Sequence, residues 1–297
     1  DNTESDYRHL VTENNCIVTG SYGLWTFSFG ETIEISIEEE QDIKNLCYNS
    51  LHPTSSYNYI VHKILYDDNG QPYRDPNDTT IEGQYADYEE IASVSIKNIP
   101  SSITEIPTNF LTMEEGRCGY LSIVDLSGFT SIKTIGNDFL ENMGYDWQTT
   151  IPSIDLTPLA NVTTVGSAFM GFGIAQMDKI DLSPMVNLET TGSFLCAYNS
   201  CVETVNMSGC TKLKNIGERF LAYDSSLDHL YVPSKNANTI TVKNTEELFM
   251  SNVNPSCIMH TGSYHSSYST TTPWKNWAHI DSQQQPTTQT ASATTSN

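Results

Sequence analysis

Five stretches of this chain repeat one pattern, and a repeat constrains the fold more than any other feature. Residues 121–140 read LSIVDLSGFTSIKTIGNDFL and residues 151–170 read IPSIDLTPLANVTTVGSAFM. Residues 177–195 read MDKIDLSPMVNLETTGSFL and residues 202–221 read VETVNMSGCTKLKNIGERFL. A degenerate copy, IASVSIKNIPSSITEIPTNFL, covers 91–111, and a sixth unit begins at LDHLYVP, 227–233. Leu126, Leu156, Leu182, Met207 and Val232 are successive equivalents, 30, 26, 25 and 25 residues apart.

Each unit opens with apolar residues spaced three and two apart, as in Ile151, Ile154 and Leu156. The last two alternate with a polar residue, the mark of a short strand with one buried face. A second apolar set follows, such as Val162, Val165 and Phe169, whose spacing of three then four predicts a short helical or 3₁₀ turn. The set ends in a Phe column: Phe110, Phe139, Phe169, Phe194 and Phe220. A Gly column precedes it, Gly136, Gly166, Gly192 and Gly217, where either a positive φ or a tight approach between coils calls for glycine. One unit cannot bury both apolar rows alone. Stacked units can, which predicts a solenoid with a parallel strand ladder along one face.

At these residues the chain resembles the BspA-like leucine-rich repeat family, whose units pair an L-x-x-I-x-L strand with an I-G-x-x-F segment. The resemblance covers about 91–240. The stretch CIMHTGSYHSSYSTTTPWKNWAHI, 257–280, is similar to the C-terminal cap of such proteins in Bacteroidetes: a strand, a Gly-Ser turn, a Tyr and a W-x-x-W/F-x-x-I helix. Gly262, Ser263, Tyr264, Trp274, Trp277 and Ile280 fill those places, and His260 departs from the pattern where a Pro is usual. The resemblance implies an α/β leucine-rich-repeat solenoid with short helical or 3₁₀ convex segments. It also implies a secreted or surface-anchored protein that binds a protein, peptide or glycan. The acidic opening DNTESD is similar to tethers that follow a lipidated Cys, so an outer-membrane lipoprotein is implied, with its anchor outside this chain. Asp78-Thr79-Thr80 fits the phylum's short O-glycosylation pattern, with an ordinary loop as the alternative. An accessory to an outer-membrane nutrient importer and an adhesin are two roles open to such a protein.

The division expected is a β-rich N-terminal domain or cap at 1–90, repeats at 91–256, a cap at 257–281 and a flexible tail at 282–297. In the first segment Cys16–Gly20, Leu24–Phe29 and Thr32–Ile37 pattern as strands, with Gly30-Glu31 as a hairpin turn. Glu39–Leu51 reads as a helix and Tyr57–Tyr66 as a strand. The tail SQQQPTTQTASATTSN carries no charge and almost nothing apolar, so burial cannot offset its ordering entropy. The chain opens on Asp1 with no apolar leader, which reads as a mature or trimmed product.

Charge narrows the partners. The 36 acidic and 14 basic residues give a net charge of −22, which repels phosphate backbones and anionic lipid, so neither nucleic acid nor membrane surface is expected to bind. Residues 1–90 hold 18 acidic and 4 basic side chains, so most of the excess sits outside the repeats. The seven cysteines show no CxxC or regular His/Cys spacing, so no zinc site or other metal site is expected. Cys16–Cys47 and Cys196–Cys201 are two disulfide options, and buried free thiols are the alternative. There is no G-x-S-x-G, H-E-x-x-H, P-loop or dinucleotide fingerprint, and the acidic turns Asp67–Gly70 and Asp75–Asp78 miss the EF-hand spacing. No catalytic residue and no cofactor is assigned. A binding protein rather than an enzyme is expected, with a hydrolase in 1–90 as the remote alternative.

Two sets of residues are candidates for ligand contact. The outward column of the strands reads Ser95, Asp125, Asp155, Asp181, Asn206, Tyr231, flanked by Lys179, Thr204 and His229 and by Ser127, Thr157, Ser183 and Ser208. Strands about 4.8 Å apart would stack three carboxylates into an acidic groove for a basic peptide, a cation or a sugar. The competing account is that each Asp orders its own turn by local hydrogen bonds. The second set is the aromatics of the longer loops, Tyr120, Tyr145 and Trp147, with Phe172, Tyr198 and Tyr223 in the shorter ones. There the competing account is packing between coils.

Overall fold

The computed structural model describes residues 14–19, 24–27, 33–45, 60–64, 88–90, 93–110, 123–141, 154–172, 177–243 and 248–283. The chain winds into a β-solenoid of about five turns. One side of each coil is the outward-facing strand expected from the repeat. Ile33–Ser36, Ser93–Lys97 and Ile123–Asp125 form one parallel sheet. Lys179–Asp181, Thr204–Asn206, His229–Tyr231, Ile258–His260 and Ile280–Asp281 form another. The coil between them runs through 154–156 without a ladder strand. The residues chosen as equivalent are stacked in the core: Leu126, Leu156, Leu182, Met207 and Val232 are all buried. Each such side chain contributes about 1.5–3 kcal/mol by leaving water.

The second apolar set is not helical. Glu105–Ile106, Thr134–Ile135, Thr164–Val165, Thr190–Thr191, Asn215–Ile216 and Thr241–Val242 form a third parallel sheet, of two-residue strands. The 3₁₀ turns lie before it instead, at Ser127–Ser131 and Thr157–Leu159. The spacing of three then four arises because a strand residue and a turn residue both face inward, not from a helical period.

A third side closes each coil with alternate residues in the left-handed region, such as Ala168, Met170 and Phe172, then Phe194, Cys196 and Tyr198. Backbone bonds between coils hold this geometry: Ala168 N–H donates to Ser193 O at 2.8 Å and Cys196 N–H to Phe169 O at 3.0 Å. Among the described residues, fifteen non-glycine residues have positive φ, and none of them is Val, Ile or Thr. That absence follows from the clash of a branched Cβ in this region.

Glycine is required by close approach rather than by φ. A Cβ on Gly192 would collide with the backbone of Gly166 and Ser167, and one on Gly217 with Gly192 and Ser193. This contact fixes the register, and the register corrects one member of the Phe column. Phe139, Phe169 and Phe220 lie three residues after their glycines, but Phe194 lies two after Gly192. The core slot is therefore filled by Leu195, which is buried, while Phe194 turns outward.

In the N-terminal segment Asn14–Thr19 pairs antiparallel with Leu24–Phe27 and with Ile60–Ile64, which pairs with Tyr88–Glu90. The expected hairpin about Gly30-Glu31 does not form, because Ile33–Ser36 pairs in parallel with Ser93–Lys97 and joins the solenoid ladder. The helix is Glu40–Asn45, started by Asp42 Oδ2 accepting from the amides of Glu38 and Glu39 at 2.8 and 2.9 Å. Ile37 and Ile43 enter the same core as the repeats.

The other end is covered by the segment after Ile258–His260. Trp274 is fully buried against Phe249 at 5.2 Å, Tyr268 at 5.1 Å and Phe220 at 6.1 Å, ring centre to ring centre. Trp277 Nε1 donates to Cys257 O at 2.7 Å. The expected Trp-bearing helix is a 3₁₀ turn at Trp274–Asn276 followed by the strand Ile280–Asp281. Cys196 and Cys201 are both free, and Cys196 lies in the core, so that disulfide option is overturned. Burial pushes the thiols of Cys210 and Cys257 up to about 12, so they behave as small apolar groups. Cys47, Cys118, the acidic turns at 67–70 and 75–78, Asp78-Thr79-Thr80 and the tail after 283 lie outside the described residues.

Candidate functional site

The outward column is joined in register at its two ends but not through its middle: Ser95 pairs with Asp125, no ladder strand runs through Asp155, and the row resumes at Asp181. Asp181, Asn206, Tyr231 and His260 are register neighbours, and Asp281 extends the row on the last strand. Each acidic member also has a local task. Asp125 Oδ1 accepts from Ser127 N–H at 2.8 Å, Asp155 Oδ1 from Thr157 N–H at 2.9 Å, and Asn206 Oδ1 from Ser208 N–H at 3.1 Å. Asp181 Oδ1 accepts from both the amide and the hydroxyl of Ser183, at 3.1 and 2.6 Å. The competing account of these residues is therefore present in four coils: each side chain orders the turn that leaves the strand.

The same bonds hold the second carboxylate oxygen in a fixed place. Asp125 Oδ2 accepts from Ser95 Oγ at 2.8 Å, and Asp181 Oδ2 lies 3.4 Å from Lys179 Nζ. Asp155 is exposed, and Asp181, Asn206 and Tyr231 are half-buried. What results is a flat, rigid, polar face with its side chains set by the backbone. No register pairing joins Asp125, Asp155 and Asp181 among the described residues; Ser95 and Lys179 each partner one of these carboxylates.

Sequence reasoning missed the end of this row. The sequence shows His260 only as a departure from the cap pattern. In the fold its Nδ1 lies 2.8 Å from Asp281 Oδ1 and its Nε2 lies 3.0 Å from His229 Nδ1. Tyr231 stacks on it at 4.5 Å. Continuing the column past Tyr231 to the next two strands would have found it.

The edge aromatics stack as a ladder. Phe172 and Tyr198 are 4.5 Å apart and Tyr198 and Tyr223 4.4 Å apart, each pair within 13° of parallel. Arg219 lies 5.6 Å over the ring of Phe194, which flanks Phe172 and Tyr198. Burial raises the Tyr198 phenol, and neighbouring Tyr223 adds to this. Inner ring faces are thus occupied by other rings, so packing between coils accounts for the ladder, and what it offers a ligand is ring edges. Tyr223 is 39% exposed. Tyr120, Tyr145 and Trp147 lie outside the described residues. At the border of that loop Glu141 is raised to about 7 by burial and by Asp138, itself raised by burial.

Among the described residues no three His, Cys, Asp or Glu side chains group as metal ligands, and no helix is long and apolar enough to cross a membrane. Comparison with protein-family models, with curated proteins and with solved structures gave no match.

Proposed function

We propose that this chain is a binding protein whose docking surface is the outward strand face, and that its ligand is an extended, basic peptide segment. The observation that carries this reading is the row Asp155, Asp181, Asn206 and Tyr231. It presents one preset polar side chain per coil, and the turn bonds leave little side-chain freedom to lose on binding. The net charge of −22 favours approach of a cationic partner. We further place the chain with the BspA-like leucine-rich repeat proteins, on the strength of the I-G-x-x-F grammar. From that resemblance we take a location at the cell surface, held by a lipid anchor outside this chain, beside an outer-membrane nutrient importer. Labelling of intact native cells with a membrane-impermeant reagent tests the location, and protection from the label overturns it.

The docking reading is tested with a fluorescent octalysine probe. Replacing Asp155 and Asp181 together by Asn removes two solvent-accessible charge contacts worth about 0.5 kcal/mol each, or about fivefold in affinity. The equally charge-neutralising pair Glu39→Gln and Glu105→Gln, exposed but off this face, changes affinity by less than half that factor. Equal losses in the two pairs would show that only net charge matters and would sink the reading.

A further inference from the structure

The end of the strand face holds a linked set of groups that the docking reading does not use. Asp281, His260 and His229 come from three neighbouring strands and bond in series, carboxylate to imidazole to imidazole. Each link is held in place. Asp281 is anchored through its main-chain oxygen, which accepts from Thr261 N–H at 3.1 Å and from Thr261 Oγ1 at 2.5 Å. His260 is 4% exposed and lies under Tyr231, whose ring is 4.5 Å away and within 19° of parallel. His229 is half-buried at the outer end.

Proton bookkeeping follows from the donors and acceptors. A carboxylate only accepts, so His260 Nδ1 carries the hydrogen. In neutral His260 the Nε2 is then a lone pair, so His229 must donate from Nδ1. The lone pair of His229 is thereby left on Nε2. That atom has no hydrogen-bond partner among the described residues and is not one of the buried unpaired atoms, so it reaches solvent. Free imidazole has no such fixed choice of tautomer. Here the choice is imposed from the carboxylate end through buried His260, as the Asp of a Ser-His-Asp triad orients the working imidazole. Among the other ionisable groups nearby, His265 bonds Thr261 Oγ1 at 3.2 Å and Lys179 faces Asp181, so neither supplies this proton.

We propose that the Asp281–His260–His229 chain makes His229 Nε2 a preset proton-accepting and nucleophilic centre on the strand face, fitted to a ligand hydroxyl or ammonium hydrogen. His229 is the contacting group, and His260 and Asp281 are positioning residues. The proposal stands on this geometry alone and survives or fails independently of the basic-peptide reading.

Diethyl pyrocarbonate is the probe. The Nε2 lone pair attacks a carbonyl carbon of the reagent. A nitrogen–carbon bond forms, the anhydride carbon–oxygen bond breaks, and ethyl carbonate leaves with the electron pair. The surplus ring proton passes from Nδ1 to His260 Nε2, where Asp281 faces the resulting imidazolium. Modification is mapped by peptide mass against exposed His279, which has no side-chain partner among the described residues. We expect His229 to react faster than His279. Asp281→Asn keeps the shape but removes the charge, and should slow His229 by about tenfold while leaving His279 unchanged. Nitrogen-15 spectra of the wild-type protein, which do not depend on any variant folding, should show Nδ1–H on both His229 and His260. A His229 that reacts no faster than His279, that ignores Asp281→Asn, or that carries its hydrogen on Nε2 overturns the proposal.

Discussion

Replacing Asp224 by Asn should stabilise this protein, although it alters a fully buried residue that accepts a good hydrogen bond. Asp224 Oδ1 accepts from Asn199 N–H at 2.8 Å, while its Oδ2 is buried with no hydrogen-bond partner among the described residues. Burial raises the carboxyl well above its ordinary range, and the Asn199 amide opposes this only in part. One coil earlier the same slot holds Asn199, since Tyr198 N–H reaches Ala222 O and brings 199 level with 224. The Asn199 side-chain amide donates to Met170 O at 3.1 Å and to Cys196 O at 2.5 Å. The corresponding acceptors for residue 224 are Cys196 O and Leu221 O. An amide there supplies the donor that the slot is shaped for and keeps the oxygen that Asn199 needs. Relieving one buried, unsatisfied polar atom is worth about 2 kcal/mol, from a range of roughly 1–3. For a chain of this size that is about 3 °C in Tm.

The pH dependence gives a second handle. The folded carboxyl titrates above the unfolded one, so above about pH 4 the unfolded state binds fewer protons and wild-type stability falls as pH rises. Asp224→Asn has no such slope. Melting curves followed by circular dichroism should therefore show the variant above wild type at pH 7, with a gap that widens from pH 4 to pH 8. Asp224→Ala, which removes the acceptor for Asn199, should melt lower than wild type throughout. An Asn variant that melts below wild type at pH 7 would refute the slot argument, and a gap constant in pH would refute the proton argument.

Two further outcomes follow from the same coordinates. Glu141→Gln should flatten the fall in stability between pH 4.5 and about pH 7, because Glu141 titrates near 7 when folded and the wild type loses stability as pH rises through that window; urea melts at pH 5 and pH 7.5 check this, and an unchanged difference between them refutes it. Gly217→Ala should cost about 1–3 kcal/mol, since its Cβ meets the backbone of the preceding coil rather than a movable side chain; an unchanged urea midpoint would show that the coils can part.

The local pattern carried most of the fold. Alternation at Ile154–Leu156 and its equivalents places one side of each strand in water and the other in the core, and a period near 25 leaves no compact arrangement but stacking. The helical reading of Val162, Val165 and Phe169 failed because spacing alone cannot separate a helix from a strand followed by a turn.

What the sequence determined by itself was the solenoid, its buried columns and the outward row of Asp125, Asp155, Asp181, Asn206 and Tyr231, since each depends on contacts repeated within one unit. The tertiary structure decided what no single unit contains. Contact between Gly192 and the previous coil put Leu195 rather than Phe194 in the core. Folding of the terminal segment carried Asp281 onto a strand paired beside the one that holds His260. Stacking placed a carboxyl in a slot lined for an amide at Asp224. In each case the deciding partner lies on another coil, 20 or more residues away, where register and burial rather than local preference set the chemistry.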